Sequence, residues 1–293
     1  GQALEHLDVG DAGGAEADRP AHGHAVLDHP GGTAALGFDE GAARQHQGVG
    51  ALVVSANEPA ALCDALDEAR SVDVKVVTFD SDTNPECRDL FINQAEAEGI
   101  ARVQVEMIAE QIGGAGQIAI LSAAANATNQ NAWIELMQAE LAANWPDIEL
   151  VDVVYGDDDD QTSFDRTAAL LQTYPELKGI VSPTTVGIAA AARYIQTSQF
   201  KGQVAVTGLG TPNQMREYVE DGTVTAFALW NPADLGYLAA YAAKALVEGT
   251  ITGAEGDTFD AGRLGSYTVG ANGTVLLGDP FVFNADNIAD FNF

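Results

Sequence analysis

From Val49 to Val247 the chain alternates short apolar runs with longer stretches that carry an apolar stripe. Runs such as Ala51–Val54 and Val74–Phe79 are rich in β-branched residues, which is typical of strands buried on both faces of a parallel sheet. Strands that alternate with helices form βαβ units. Too many such units follow one another for one compact sheet, so the pattern predicts an α/β protein with two doubly wound domains.

The same patterns place the individual elements. The predicted strands are Ala51–Val54, Val74–Phe79, Leu90–Ile92, Ile118–Leu121, Ile148–Val154, Gly179–Val181, Val204–Val206, Val224–Leu229 and Val275–Leu277. The predicted helices are a segment with Asn57 as N-cap and Pro59 in its first turn, then Ala95–Ile112, Asn131–Asn144, Phe164–Tyr174, Val186–Thr197, Asn213–Glu220 and Ala233–Val247. Residues 249–274 are predicted to be long connections, and residues 279–293 a tail.

Polar loops follow the predicted strands, and ligands of open α/β sheets bind beyond the carboxyl ends of the strands. Asp80, Ser81 and Asp82 come directly after Val74–Phe79. Taken alone, these aspartates are more typical of a turn. Many strands end in the same kind of loop, however, and this favours a ligand-binding site at the carboxyl ends of the strands. The other loop residues are Ser55, Asn57, Asn93, Gln94, Asn126–Asn131, Ser182–Thr185, Gly208–Asn213, Trp230 and Asn231.

These loops are rich in amides and hydroxyls and poor in cations. Amides donate and accept hydrogen bonds at once, so the mixture suits a neutral sugar or polyol whose adjacent hydroxyls a carboxylate grips. Phe79, Trp133 and Trp230 are available for the apolar side of a sugar ring, although each is individually more typical of core.

Composition and motifs exclude several classes of function. The formal net charge of −30 repels phosphate backbones, so we expect no nucleic-acid partner. No histidine follows His46 to act as a general base, no GxSxG or GxxxxGK[ST] motif occurs, and Gly208-Leu209-Gly210 lacks the third glycine of a dinucleotide fingerprint. We therefore expect neither an enzyme nor a cofactor.

A calcium-binding site is one interpretation of the acidic run Asp157–Asp160. The run lacks the alternating ligand spacing and the distal Glu of an EF-hand loop. A solvated run that favours the N-terminus of the next helix is the preferred interpretation, and no metal site is predicted.

The two cysteines, Cys63 and Cys87, form no CxxC pair, which argues against zinc. They lie on adjacent predicted βα units, so a disulfide between them is expected if the protein is exported. Two isolated buried thiols are the alternative.

Residues 1–48 do not share the pattern of the rest. They contain all the histidines (His6, His22, His24, His29 and His46) and crowd Gly and Ala without a period of 2 or 3.6. A His-rich metal-binding arm is one interpretation, and a disordered tail is favoured over it. A third hypothesis is an out-of-frame translation of a GC-rich gene.

From Val49 to Phe293 the chain resembles periplasmic sugar-binding proteins of the ribose-binding type (type I). The segments that carry the resemblance are SANEPAALCDAL, VVTFDSDTNPECR, FINQAEAEGI, ANATNQNAW, YGDDDDQTSF, GIVSPTTVGIAAAARY, TGLGTPNQMREYVEDGTV, ALWNPADLGYLAAY and LLGDPFVFNADNI. Within that family the rhamnose-binding branch of bacterial ABC importers is most similar, with autoinducer-binding proteins as near relatives.

The resemblance implies two Rossmann-like lobes joined by a three-stranded hinge that close on one sugar. The lobes would comprise residues 1–93 with 231–265, and 94–230 with 266–293. The implied pocket positions are Asp80, Asn129, Gln130, Pro183, Thr184 or Thr185, and Asn231, with Asn93 and Trp230 as weaker members. The autoinducer relatives carry an acid at the position of Asn129, so the neutral residue here favours a rhamnose-like sugar.

The resemblance further implies a monomer that hands a monosaccharide to a membrane permease. Its location would be periplasmic, or extracellular with a lipid anchor, with the export signal outside this sequence and no direct membrane insertion. A sugar-effector domain of a transcription regulator uses the same fold, but residues 1–48 offer no basic helix-turn-helix. They also lack the strands and helices with which the family opens. We therefore expect an incomplete first sheet and weak or absent sugar binding by the chain as written.

Overall fold

The computed structural model describes residues 49–56 and 59–293 in full and residues 24–28 as backbone alone. The predicted N-cap Asn57, and the histidines of residues 1–48 apart from the backbone of His24, lie outside the described residues. The chain divides into two compact units. Unit 1 runs to Gln94 and includes Pro232–Leu277, and unit 2 comprises Ala95–Asn231 and Gly278–Phe293.

Strands and helices alternate through most of the described chain. The strands are β1 (His24–Asp28), β2 (Val49–Val54), β3 (Lys75–Phe79), β4 (Leu90–Asn93), β5 (Gly116–Ser122), β6 (Ile148–Tyr155), β7 (Leu177–Ser182), β8 (Ala205–Gly208), β9 (Ala226–Leu229), β10 (Thr258–Asp260), β11 (Ser266–Thr268), β12 (Thr274–Leu276) and β13 (Phe281–Asn284). The α-helices are α1 (Cys63–Ser71), α2 (Ala97–Ile112), α3 (Thr128–Asn144), α4 (Asp160–Thr173), α5 (Thr185–Thr197), α6 (Pro212–Glu220) and α7 (Pro232–Val247). The predicted α/β class is confirmed.

Unit 1 is built on a sheet of order β1-β2-β3-β4-β12. The last four strands are parallel, and β1 pairs antiparallel with β2. The side chains of Leu52, Val54 and Val76 pack with Leu66 and Ala69 of α1 in one buried cluster. Helix α7 also packs against β2 and β3. Because strand side chains alternate between faces, a parallel strand must be apolar throughout to be covered on both.

Unit 2 contains a parallel sheet of order β6-β5-β7-β8 and an antiparallel pair, β9 with β13. The backbone N–H of Gly210 donates to the carbonyl of Ala228 (3.1 Å), which places β9 beside the end of β8. Helices α2 and α5 pack against β7 and β8. The carboxyl ends of β5 and β7 therefore lie at one edge, where a ligand is expected.

Several elements differ from the sequence predictions. Helix α1 begins at Cys63, so Pro59 lies in the preceding turn, where its carbonyl accepts a hydrogen bond from the N–H of Asn84 (3.1 Å). Residues 249–274 contain the hairpin β10–β11, and the tail contains β13. Strand β1 lies in the stretch expected to be irregular. Strands β10 (TFD) and β11 (SYT) lack the run of β-branched apolar residues by which the other short strands were recognised.

The chain crosses between the two units three times, after Gln94, after Asn231 and after Leu277. The last of these crossings was expected at position 265. The reason is strand pairing: β12 adds to the edge of β4 in parallel, with Val275 opposite Ile92, and so keeps the chain in unit 1.

Candidate functional site

Asp80 occupies a turn at the carboxyl end of β3 in unit 1. The N–H of Ser81 donates to the carbonyl of Phe79 (2.7 Å), which closes a γ-turn around Asp80 at φ 62°. The N–H of Asp80 donates to the carbonyl of Ile92 in β4 (3.3 Å). Aspartate tolerates the left-handed region better than most residues, so the sequence can hold this rare turn.

The carboxylate of Asp80 is half-buried and has no cationic partner among the described residues. Burial raises its pKa from 3.8 to about 6, and a hydrogen bond with Ser55 partly offsets that rise. A carboxyl group desolvated in this way is available to accept hydrogen bonds from a ligand's hydroxyls.

Asp82 has a different role, although it lies two residues further on. Its two oxygens accept hydrogen bonds from Nε and Nη2 of Arg88 (2.7 and 2.8 Å). The N–H of Thr83 and the hydroxyl of Thr78 also donate to it. Arg88 is 5% exposed, so this bidentate pair holds the loop together and leaves Asp80 as the ligand candidate.

Asn93 ends β4, the strand beside β3, and is half-buried. Its backbone carbonyl accepts from the N–H of Leu277 (2.8 Å). Unit 1 thus places Asp80 and Asn93 at the ends of neighbouring strands, since Phe79 stands opposite Ile92.

Gln130 lies in the first turn of helix α3 in unit 2 and is 9% exposed. Its Oε1 accepts from the N–H of Ala123 (2.9 Å) and from Oγ of Ser122 (2.7 Å). A backbone N–H can only donate, so the amide oxygen must face Ala123, and the amide orientation follows. The NH₂ group of Gln130 is then the part available to a ligand.

Asn129 shows the same arrangement. Its Oδ1 accepts from the N–H of Gln130 (2.8 Å), which leaves its own NH₂ group to donate. The two neighbouring amides therefore both present donors, and an acceptor oxygen is the partner they suit.

The segment Pro183-Thr184-Thr185 links β7 to α5 at the same edge of unit 2. Oγ of Ser182, the last residue of β7, donates to the carbonyl of Leu121 in β5 (2.7 Å) and so holds the two strand ends together. Pro183 and Thr184 are buried, and Thr185 is half-buried. The hydroxyl of Thr184 donates to Oδ1 of Asp158.

The contact of Asp158 with Thr184 was missed by the sequence analysis, which predicted a solvated acidic run. That prediction is correct for the neighbour Asp159, whose carboxylate accepts from the N–H of Thr162 (2.7 Å) and caps α4. Asp158 is exposed as predicted, but the sequence analysis missed its contact with Thr184, because a long-range contact leaves no signal in the local pattern.

Trp230 follows β9 and lies edge-on to Trp133 of α3, with ring centroids 6.2 Å apart and an interplanar angle of 66°. Both indoles are buried, at 9% and 5% exposure. Asn231 comes next and is half-buried. Within unit 2 the aromatic pair connects the α3 candidates with the loop after β9.

A depression of about 920 Å³ in unit 2 lies away from these residues. Its lining includes Lys178, Ala205 and Ala226, which lie at the start of β7, β8 and β9, and part of α2, so it faces the amino ends of the strands. None of the predicted site residues lines it. The candidate site is therefore assigned from side-chain chemistry at the carboxyl ends.

Among residues 24–28, 49–56 and 59–293, no group of three His, Cys, Asp or Glu side chains is placed to hold a metal ion. No helix there has the length and apolarity needed to cross a bilayer. Cys63 and Cys87 form a disulfide with a Cα–Cα distance of 5.2 Å.

The sequence profile of the periplasmic binding protein domain matches residues 43–251. This chain belongs to the periplasmic binding protein domain family. The family resemblance and the implied type I fold are thereby confirmed, and the function is binding rather than catalysis. Residues 1–48 depart from the family pattern, and most of them lie before residue 43, where the match begins.

Solved structures agree with this assignment. A sugar ABC transporter protein from Actinomyces odontolyticus is 57% identical, with a TM-score of 0.73 over 84% of this chain and 79% of that one. An ABC transporter solute-binding protein from Clostridium phytofermentas with bound L-rhamnose is 42% identical, with a TM-score of 0.78 over 83% and 80%. LsrB from Clostridium saccharobutylicum, in complex with AI-2, shares the fold at 24% identity, with a TM-score of 0.78 over 84% and 83%. The chain is thus a sugar-binding component of the ABC-transporter type, which functions outside the cytoplasm.

Proposed function

We propose that this protein captures a rhamnose-like monosaccharide outside the cytoplasm and delivers it to an ABC permease. Hinge closure would bring the candidate residues of both units onto one sugar. The proposed ligand residues are those of the sequence analysis: Asp80, Asn93, Asn129, Gln130, Pro183, Thr184, Thr185, Trp230 and Asn231.

The observation that carries the proposal is the division of hydrogen-bonding roles. Gln130 and Asn129 have their amide oxygens engaged by backbone N–H groups, so each offers an NH₂ group. Asp80 offers an acceptor without a cationic partner. Sugar hydroxyls accept and donate at once, and a neutral sugar satisfies both requirements. An anionic ligand would be repelled by Asp80.

Two observations favour a 6-deoxy-hexose over a furanose signal. The 42% identical relative was solved with L-rhamnose, whereas the relative in complex with AI-2 shares only 24% of its residues. Asn129 also stands where the autoinducer branch is expected to carry an acid. The autoinducer-type ligand is therefore the second candidate.

The test is a titration of the full chain with L-rhamnose, L-fucose, D-glucose and AI-2. Calorimetry and tryptophan fluorescence measure the binding of each ligand. Gln130→Glu keeps an oxygen for the N–H of Ala123 but replaces the donor with an acceptor. Loss of one hydrogen bond of about 1–3 kcal/mol predicts affinity roughly 5- to 150-fold weaker.

The matched control is Gln138→Glu, which makes the same change on an exposed position of the same helix. It should leave affinity unchanged. Because residues 1–48 are expected to weaken binding by the chain as written, the panel is also titrated against a chain whose reading frame upstream of Val49 has been corrected by resequencing. Absence of binding to every sugar by both chains would reject the proposed function. Equal affinities of the two glutamate variants would reject the role given to Gln130.

A further inference from the structure

The acidic loop between β6 and α4 is fixed beside the candidate site of unit 2. The N–H of Gly156 donates to the carbonyl of Ser122 (2.9 Å), and the N–H of Asp157 donates to the carbonyl of Ala123 (2.8 Å). Ser122 is the last residue of β5 and Ala123 follows it, and these same two residues orient Gln130. The loop therefore lies at the carboxyl edge of the sheet.

Two consecutive residues of this loop, Asp157 and Asp158, have left-handed backbones at φ 55° and 50°. This conformation is disfavoured for residues other than glycine, although aspartate tolerates it. Capping of α4 is done by Asp159. The left-handed pair instead directs the Asp158 carboxylate to Thr184.

Thr184 is the N-cap residue of α5, with extended backbone angles of −136° and 141°. A threonine here ordinarily turns its oxygen to the N–H groups of the first helical turn. Its hydroxyl instead donates to Oδ1 of Asp158, and no side chain caps the helix. The methyl group of Thr184 lies close to Gly187. A Cβ atom added to Gly187 would be 2.8 Å from that methyl group. The side chain is held from both sides.

We propose that Asp158 is a positioning residue that sets the hydrogen-bonding role of Thr184 toward the sugar. Because the hydroxyl hydrogen is engaged by the carboxylate, Oγ1 presents only lone pairs and accepts from a ligand hydroxyl. The N–H groups at the start of α5 are left for a second ligand oxygen. This inference rests on the proposed function and adds a residue that does not touch the sugar itself.

The experiment is a double-mutant cycle of Asp158→Gly and Thr184→Val, read as the dissociation constant for L-rhamnose. Glycine suits the left-handed backbone, so the variant removes the carboxylate without new strain. The matched control is Asp157→Gly, which makes the same change at the adjacent residue. Asp158→Asn keeps an acceptor oxygen and tests rescue without the charge.

We expect Asp158→Gly and Thr184→Val each to weaken binding about 10-fold, and the double variant to weaken it no further. Asp157→Gly and Asp158→Asn should stay within about 3-fold of the parent. Urea denaturation checks that every variant is folded, and Asp158→Ala replaces the glycine variant if that one is not.

Three results would overturn the inference while leaving the proposed function intact. They are equal affinities of the Asp157 and Asp158 glycine variants, losses that multiply to about 100-fold in the double variant, and an asparagine variant as weak as the glycine one. If neither the chain as written nor the chain with its upstream reading frame corrected binds any sugar in the panel, the proposed function and this inference fail together.

Discussion

Acid should weaken sugar binding through Asp80, because burial raises the pKa of this carboxyl group to about 6. The proposed role requires the ionised form, which accepts two hydroxyl protons. As the pH falls through 6, the free protein takes up a proton that the sugar complex must lose. An aspartate with its usual pKa of 3.8 would remain ionised throughout this range.

The size of the effect follows from the pKa alone. With a pKa of about 6, Asp80 is roughly 97% ionised at pH 7.5 and roughly 9% ionised at pH 5, so affinity should fall about 10-fold between them. With a pKa of 3.8 the same change in pH would alter affinity by less than about 10%. At pH 6 binding should release about half a proton.

The contribution of Asp80 to the stability of the sugar-free protein should change in the opposite direction. The folded state binds the Asp80 proton more tightly than the unfolded state, whose pKa is near 3.8. Asp80 therefore lowers the free energy of unfolding at neutral pH, and this destabilisation is relieved as the pH falls from above 6 toward 3.8. A carboxylate held in an ion pair would show the reverse.

Calorimetric titrations with L-rhamnose between pH 5 and 7.5, in buffers of different ionisation enthalpy, measure both the affinity and the protons released. Asp80→Asn should bind at least about 10-fold more weakly at pH 7.5 and lose the pH dependence. Asp64→Asn, an exposed position in the same unit, is the control. Flat affinity in the parent, or the same pH dependence in Asp80→Asn, would refute the reasoning.

Replacing Cys63 and Cys87 together by serine should lower the free energy of unfolding by about 3 kcal/mol, since their disulfide closes a loop with a sequence separation of 24. Urea denaturation measures it, and an unchanged midpoint would contradict it. Arg88→Met should cost about 3–5 kcal/mol by leaving a partly buried carboxylate unpaired, whereas Arg70→Met, in a more exposed pair, should cost less than about 1 kcal/mol. Equal losses would refute the distinction. Hydrogen exchange should be fast over most of residues 1–48. Slow cooperative protection throughout that segment would show a folded element there. Resequencing upstream of Val49 tests the frame hypothesis, for which a single-base slip is the expected finding.

The sequence by itself determined the α/β class and most element positions after Val49. These depend on local periodicity: a β-branched run can be buried on both faces of a sheet, and an apolar stripe covers it. The position of Asp80 at the end of such a run was visible for the same reason. The family pattern added the candidate residues. It did not extend over residues 1–48, and it placed the last crossing between the units at 265 rather than after Leu277.

The tertiary structure decided what the local pattern leaves open. Asp80 and Asp82 look alike in the sequence. Only the ion pair between Arg88 and Asp82 shows that Asp82 has a structural role. Gln130 has two possible amide orientations until the N–H of Ala123 selects one. Asp158 reaches Thr184 across 26 residues of sequence. Hydrogen bonds between separate loops depend on where packing places each backbone, and that geometry is set by the whole fold rather than by neighbours in the chain.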